Sequence, residues 1–204
     1  GQLSGMLEGV GVYRDRDRYL LRSLQVTGRM ENLVQEMLAI SRMESGSGAV
    51  KREVVELSAL IERRLALDAP LLEQRNQRLV KDLPPGIVAT GDASLLGRVA
   101  GNLPSNASLY SPEGAEVRVW CGLLNGRLAL TVENTEAHIS EKALPHLFEA
   151  FYREETSRNR ATGGSRLGLY LVKMILARHG AECTIENTVD GVRAAVRFEM
   201  DAVS

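Results

Sequence analysis

Two dipeptides limit the fold more than anything else in the chain. Asn125-Gly126 and Asp190-Gly191 each interrupt a pair of strand-like apolar runs. Asn-Gly and Asp-Gly favour the left-handed backbone of a tight hairpin turn. They predict antiparallel hairpins over 116–124/127–134 and 183–189/192–200. Mostly antiparallel pairing excludes a doubly wound parallel sheet. Further strands are predicted at Lys51–Leu57, Arg78–Asp82 and Ile87–Thr90, the last two around the turn Pro84-Pro85-Gly86. Helices are predicted from Ser58 as N-cap to about Arg75, from Asp92 or Ser94 to about Tyr110, and from Leu167 to His179, where Gly180 ends the last one. The expected fold class is therefore α+β: one mixed, mostly antiparallel sheet with helices on one face and the other face partly solvated.

The N-terminal part obeys a different period. Val26, Met30, Leu33, Met37 and Ile40 are spaced by four, three, four and three residues, a heptad seam for another helix. A long helix from about 15 to 44 follows, preceded by a turn at Gly9-Val10-Gly11 and a short helix near 2–9. Two helices with one apolar stripe cannot close a core alone; such a hairpin completes a bundle with a second copy or with further sequence, or else it caps the rest of its own chain. Ser45-Gly46-Ser47-Gly48 reads as a flexible linker. The expected organisation is a helical hairpin over 1–44, a linker over 45–50 and one α/β domain over 51–204.

Composition narrows the function classes. The chain has 204 residues, 44% apolar and 25% charged, and a formal charge of −1. That balance supplies no general attraction to nucleic acid or to an anionic membrane. No signal peptide opens the chain and no apolar run reaches spanning length. The first residue is Gly1 rather than Met, which reads as an internal fragment. Cys121 and Cys183 both fall in predicted strands and read as reduced core residues of a cytosolic protein.

Three amides break their local pattern. Leu128, Leu130 and Val132 share one strand face, and Asn134 continues it, so a carboxamide points to the apolar side and must find a partner there. Asn102 and Asn106 lie one turn apart on one helix face, beside Val99 and Leu103. Each alone reads as a surface or capping amide. As a set they offer carbonyl oxygens suited to a hard cation and NH₂ groups suited to phosphate. Residues 153–166 form a polar, basic run closed by Gly163-Gly164-Ser165, which is either a lid or plain disorder. A diglycine just before a helix start offers bare amides to phosphate. These features together suggest a Mg-nucleotide pocket between the 94–110 helix and the strand ending at Asn134.

The same stretches resemble known motifs in order and spacing. Asn102-Leu103-Pro104-Ser105-Asn106-Ala107 resembles the N box of sensor histidine kinases, and Glu133-Asn134-Thr135-Glu136-Ala137-His138-Ile139 their G1 box. Leu147–Arg153 resembles the F box, and Gly163-Gly164-Ser165-Arg166-Leu167-Gly168-Leu169 the G2 box. Met30–Glu44 is similar to the end of the family's second dimerisation helix. The resemblance spans nearly the whole chain and is nearest to sensors of the vancomycin-resistance type. It implies a Bergerat-type α/β sandwich that binds Mg-ATP and passes the γ-phosphoryl to a histidine. It implies Asn102 as the Mg²⁺ ligand, Asn106 and Arg153 at the phosphates, Asn134 on the adenine amine and Tyr110 by the base or ribose. Phe148 and Phe151 would anchor the lid, and Gly163, Gly164, Ser165, Leu167, Gly168 and Leu169 would line the nucleotide. It further implies a response regulator as partner, a homodimer through the helical hairpin, and a membrane-anchored parent whose cytoplasmic part this is.

The departures from the family pattern cluster at the pocket. Asn134 stands where the family has Asp, and Glu136 and Arg166 stand where it has Gly. If position 136 needs a positive φ, a side chain there is strained. Leu109 replaces a frequent Lys, and Pro104 removes a hydrogen bond inside the predicted helix. The phosphoacceptor box is absent, and His138, His146 and His179 do not fit its role: His138 falls in the G1 stretch, His146 reads as structural, and His179 as a cation at a helix C-terminus. The chain is thus expected to be a catalytic fragment that cannot phosphorylate itself. The alternative is a degenerate Bergerat domain acting as a protein-interaction module.

Overall fold

The computed structural model describes residues 16–45, 50–152 and 167–199. Helix α1 runs over Arg16–Glu44 without a break. Val26, Met30, Leu33 and Met37 of its heptad seam are exposed, whereas Ile40 is half-buried and Met43 is buried in the core. The helix therefore meets the rest of the chain only at its last turns. The helix expected near 2–9, and with it the hairpin, lies outside the described residues, as does most of the linker.

Five strands form the main sheet: β2 (Arg78–Asp82), β4 (Glu116–Leu124), β5 (Arg127–Thr135), β7 (Gly191–Phe198) and β6 (Ala181–Asn187), in the order β2-β4-β5-β7-β6. Only β2–β4 is parallel. The strands β1 (Glu53–Glu56) and β3 (Val88–Gly91) pair with each other as a separate antiparallel ladder. The single expected sheet is thus two, and β2 and β3 do not make a hairpin. Pro84 and Pro85 lie between them and supply no N–H to a tight turn.

Helices α2 (Leu57–Gln74), α3 (Ala93–Tyr110) and α4 (Gly168–Arg178) cover one face of the main sheet. Val117, Val119, Cys121, Leu130, Val132 and Val196 point to that side and close one core with Leu57, Ile61, Leu96, Leu171 and Ile175. Truncating such a fully buried leucine to alanine costs about 2–5 kcal/mol. On the bare face, register aligns Arg118, Glu133, Arg193 and Glu186 across four strands. Their signs alternate, and Arg193 pairs with both Glu133 and Glu186. β6 is the outer strand on that side, with Glu182 and Glu186 exposed.

Local chemistry sets the boundaries, and two differ from expectation. Helix α2 is capped by Glu56, whose carboxylate accepts from the Ala59 N–H at 2.6 Å. Ser58 is instead inside the helix, its hydroxyl donating to the Pro84 carbonyl at 2.6 Å. The β4–β5 turn is as expected, with φ of +53° at Asn125 and +77° at Gly126. The β6–β7 turn falls earlier, at 188–190, and Gly191 is the first residue of β7. A Cβ on Gly191 would collide with the Asn134 carbonyl oxygen, so the glycine serves close strand approach rather than the turn. Helix α3 runs unbroken through Pro104, which is buried.

Candidate functional site

Asp92 starts α3 by accepting from the Ser94 and Leu95 N–H groups, a strong N-cap. The helix then carries Asn102 and Asn106 on one face, both half-buried. That face meets the start of α4. A Cβ built on Gly168 would lie 2.7 Å from Asn102 Oδ1 and 3.9 Å from Asn106 Nδ2. The glycine leaves this space to the amides, and a side chain there would push the Asn102 carboxamide aside. Asn102 Nδ2 donates to the Arg98 carbonyl at 3.0 Å, which turns its Oδ1 toward α4. Leu167, the N-cap residue of α4, has no side-chain oxygen to cap the first turn, and that turn holds no acidic residue. A helix N-terminus packed on two carboxamides favours an anion.

One turn and a half along α3 lies a buried polar network. Asn134 is 6% exposed, and its Nδ2 donates to Ser111 Oγ at 2.8 Å. Ser111 Oγ in turn donates to the Ala107 carbonyl at 2.6 Å. Gln77 and Ser108 join side chains below, Ser108 Oγ donating to Gln77 Oε1 at 2.5 Å while Gln77 Nε2 donates to the Ser108 and Pro112 carbonyls. The Arg75 guanidinium holds the Ser111 carbonyl at 2.7 Å. From residue 102 to residue 111 the helix axis advances by ~13 Å. The amide pair and Asn134 thus lie at opposite ends of the second half of α3. Tyr110, at the end of the same helix, is exposed.

After β5 the chain leaves the sheet over 136–152. Glu136 has a φ of +58°, its N–H donates to the Asp190 carbonyl at 2.8 Å, and its side chain is exposed. Position 136 is therefore one where a side chain is strained, as the missing glycine suggested. Asn187 clamps the following segment by accepting from the Ile139 N–H at 2.9 Å and donating to the Ile139 carbonyl at 2.8 Å. Phe148 is half-buried and Phe151, with a φ of +64°, is 60% exposed. Leu167 is buried, Gly168 is buried and Leu169 is half-buried. Arg153, Gly163, Gly164, Ser165 and Arg166 lie outside the described residues.

The histidines divide by their bonds. His146 Nδ1 pairs with Glu149 at 2.7 Å, and its ring lies 5.2 Å from that of Tyr152, a structural use. His138 is exposed. His179 is not the expected cation. Its Nε2 accepts the Asp92 N–H at 3.0 Å, so Nδ1 carries the proton and donates to the Ile175 carbonyl at 2.7 Å. The ring is neutral and ties the end of α4 to the start of α3. Cys121 and Cys183 are free, and burial pushes both thiols up to about 12. Among the described residues no group of three His, Cys, Asp or Glu side chains is placed to hold a metal ion. Asn102 Oδ1 is a hard oxygen donor beside Gly168 at the α4 N-terminus.

The structure brings Asn102, Asn106 and Gly168 together, and sets Asn134 at the far end of the same helix. Sequence reasoning missed Ser111, Asn187 and the bonding of His179. The strand period required a partner for Asn134, but no local signal pointed to a serine 23 residues upstream.

Known proteins share this fold. Residues 91–203 match the family described as histidine kinase-, DNA gyrase B-, and HSP90-like ATPase. The sensor protein VanSB of Enterococcus faecalis is 33% identical over 190 residues, which are 93% of this chain and 42% of VanSB. The chain thus spans about two fifths of the length of that relative. Among solved structures, the histidine kinase ThkA in complex with response regulator protein TrrA superposes with a TM-score of 0.73 at 18% identity, covering 96% of this chain and 55% of that one. Full-length ShkA in complex with AMPPNP gives 0.71 at 19% identity, covering 97% and 41%. No described helix is long and apolar enough to cross a membrane.

Proposed function

Because the chain belongs to the family of histidine kinase-, DNA gyrase B-, and HSP90-like ATPases, we propose that it binds Mg-ATP along α3 and forms the catalytic part of a sensor histidine kinase. The observation that carries this is the packing of the α4 N-terminus on Asn102 and Asn106, with Gly168 leaving the space for their side chains. Phosphate belongs at that end, where backbone N–H groups and Asn106 Nδ2 can donate to it. Asn102 Oδ1 would hold Mg²⁺; one neutral oxygen fits an ion that keeps waters and takes its other ligands from phosphates. Bound there, Mg²⁺ neutralises phosphate charge. The adenine belongs at the Asn134 end, near Tyr110. The chain's own residues act by positioning and charge stabilisation, the usual requirements of phosphoryl transfer.

Arg153 and the 163–166 segment complete the phosphate end in this reading, and Phe148 and Phe151 hold the lid. The phosphoryl group goes to a histidine outside this chain. The exposed seam on α1 fits pairing with a second copy, as in a homodimer, and the last α1 turn joins it to the catalytic unit. The solved ThkA–TrrA complex supports a response regulator as partner; a cytoplasmic position in a membrane-anchored sensor belongs to this reading through the family resemblance.

A second reading is favoured by Glu136, whose strained backbone replaces the family's glycine: a Bergerat domain that no longer binds nucleotide productively and acts through its surfaces. Calorimetric titration with Mg-ADP and a non-hydrolysable Mg-ATP analogue separates the two. Micromolar binding, lost in Asn102→Ala, is expected. No heat at millimolar nucleotide would replace the first reading with the second.

A further inference from the structure

The Asn134 carboxamide is asymmetric, and its orientation is fixed by a residue outside the resembled glycine boxes. Ser111 has one hydroxyl hydrogen, and that hydrogen is committed to the Ala107 carbonyl at 2.6 Å. Ser111 Oγ can then only accept from a neighbouring side chain. The neighbour is Asn134, which presents Nδ2 to it at 2.8 Å. Oδ1 must therefore face away from Ser111, and the one side-chain hydrogen bond of Asn134 among the described residues is the one from Nδ2. Ser111 itself has little freedom to turn. It is 4% exposed, its N–H donates to the Ser108 carbonyl, and its own carbonyl is held by Arg75 at 2.7 Å.

We infer that Ser111 is a specificity-determining residue: by accepting from Asn134 Nδ2 it turns the Asn134 carbonyl oxygen toward the ligand and selects a purine that presents an exocyclic amine there. The inference rests on the nucleotide reading above. An adenine offers an amine N–H to Oδ1. A guanine offers a carbonyl oxygen at the same position, which would need the opposite face of the amide. A carboxylate would accept whichever way it turned; an asparagine does so only if its orientation is held. Ser111 acts through Asn134 and is not itself placed against the base.

The test is the ratio of Mg-ADP to Mg-GDP affinity, measured by calorimetry on the whole chain. Wild type is expected to prefer Mg-ADP. Ser111→Ala is expected to lower that preference about fivefold, the size of one neutral hydrogen bond, by weakening ADP and improving GDP. Ser111→Thr keeps the hydroxyl and the preference. In an Asn134→Asp background the same Ser111→Ala change leaves the ratio where it was, because either carboxylate oxygen can accept. A purely structural serine would weaken both nucleotides together and leave the ratio fixed, which overturns the inference while the nucleotide reading stands. Wild type binding neither nucleotide overturns the nucleotide reading and this inference with it. If Ser111→Ala unfolds, Ser111→Cys carries the same expectation, since a thiol is a weak acceptor.

Discussion

A φ of +58° at Glu136 is the clearest conflict between one residue and its place in the chain. The left-handed region costs a side-chain-bearing residue roughly 1–2 kcal/mol, and an exposed glutamate recovers nothing by packing. Glu136→Gly is therefore expected to raise stability by about 1 kcal/mol, read as a higher urea midpoint at unchanged slope. The same change is expected to tighten Mg-ADP binding, because the strand end beside Asn134 is relieved. An unchanged midpoint would mean that the strain is absorbed elsewhere. Gly191 shows the opposite case, a glycine that strand approach makes necessary. It was legible as a turn residue, yet it serves as a spacer against Asn134, and only three-dimensional register shows that.

At the scale of elements, α3 and α4, the helices of the candidate site, are tied at the other end by His179. Its neutral ring accepts from Asp92 N and donates to Ile175 O. His179→Ala removes both bonds and leaves the Asp92 N–H without its partner, an expected loss of about 1–3 kcal/mol. Amide exchange at Ser94 and Leu95 should quicken with it, since their cap is Asp92; equal exchange in both proteins would sink the idea of a tie. Element boundaries were largely legible because caps and turn dipeptides act locally. Asp92, Asn125-Gly126 and Gly180 each marked its boundary. The pairing of β1 with β3 was not legible, because a ladder between strands 35 residues apart (Glu53 to Val88) depends on the fold of everything between them. The Ser58 cap was misassigned for a related reason: the fold gives the Ser58 hydroxyl to the distant Pro84 carbonyl and leaves the first-turn amide of Ala59 to Glu56.

For the whole molecule, one buried thiol ties stability to alkaline pH. Cys121 is fully buried and burial holds its thiol at about 12, against 9.0 when free. The folded state keeps that proton after the unfolded chain has lost it, so the stabilising contribution is complete below pH 9 and disappears as pH rises toward 12. Cys121→Ala is expected to be less stable than wild type at pH 7 through its cavity, with the gap narrowing across that alkaline window. A constant gap in denaturation midpoints from pH 7 to 11 would show that the thiol stays out of the balance. The amide pair and the helix after it were legible from sequence; the network of Ser111, Ser108 and Gln77 beneath Asn134 was not, because hydroxyls and a glutamine carry no periodic signal.

The outer position of β6 bears on how copies of the chain meet. Its exposed Glu182 and Glu186 flank Thr184 symmetrically. Were two copies to join these edges as antiparallel strands about Thr184, each Glu182 would fall opposite the other copy's Glu186, like charge against like. The sheet is thereby guarded against growing sideways into a continuous ribbon, and self-association is left to surfaces other than this border.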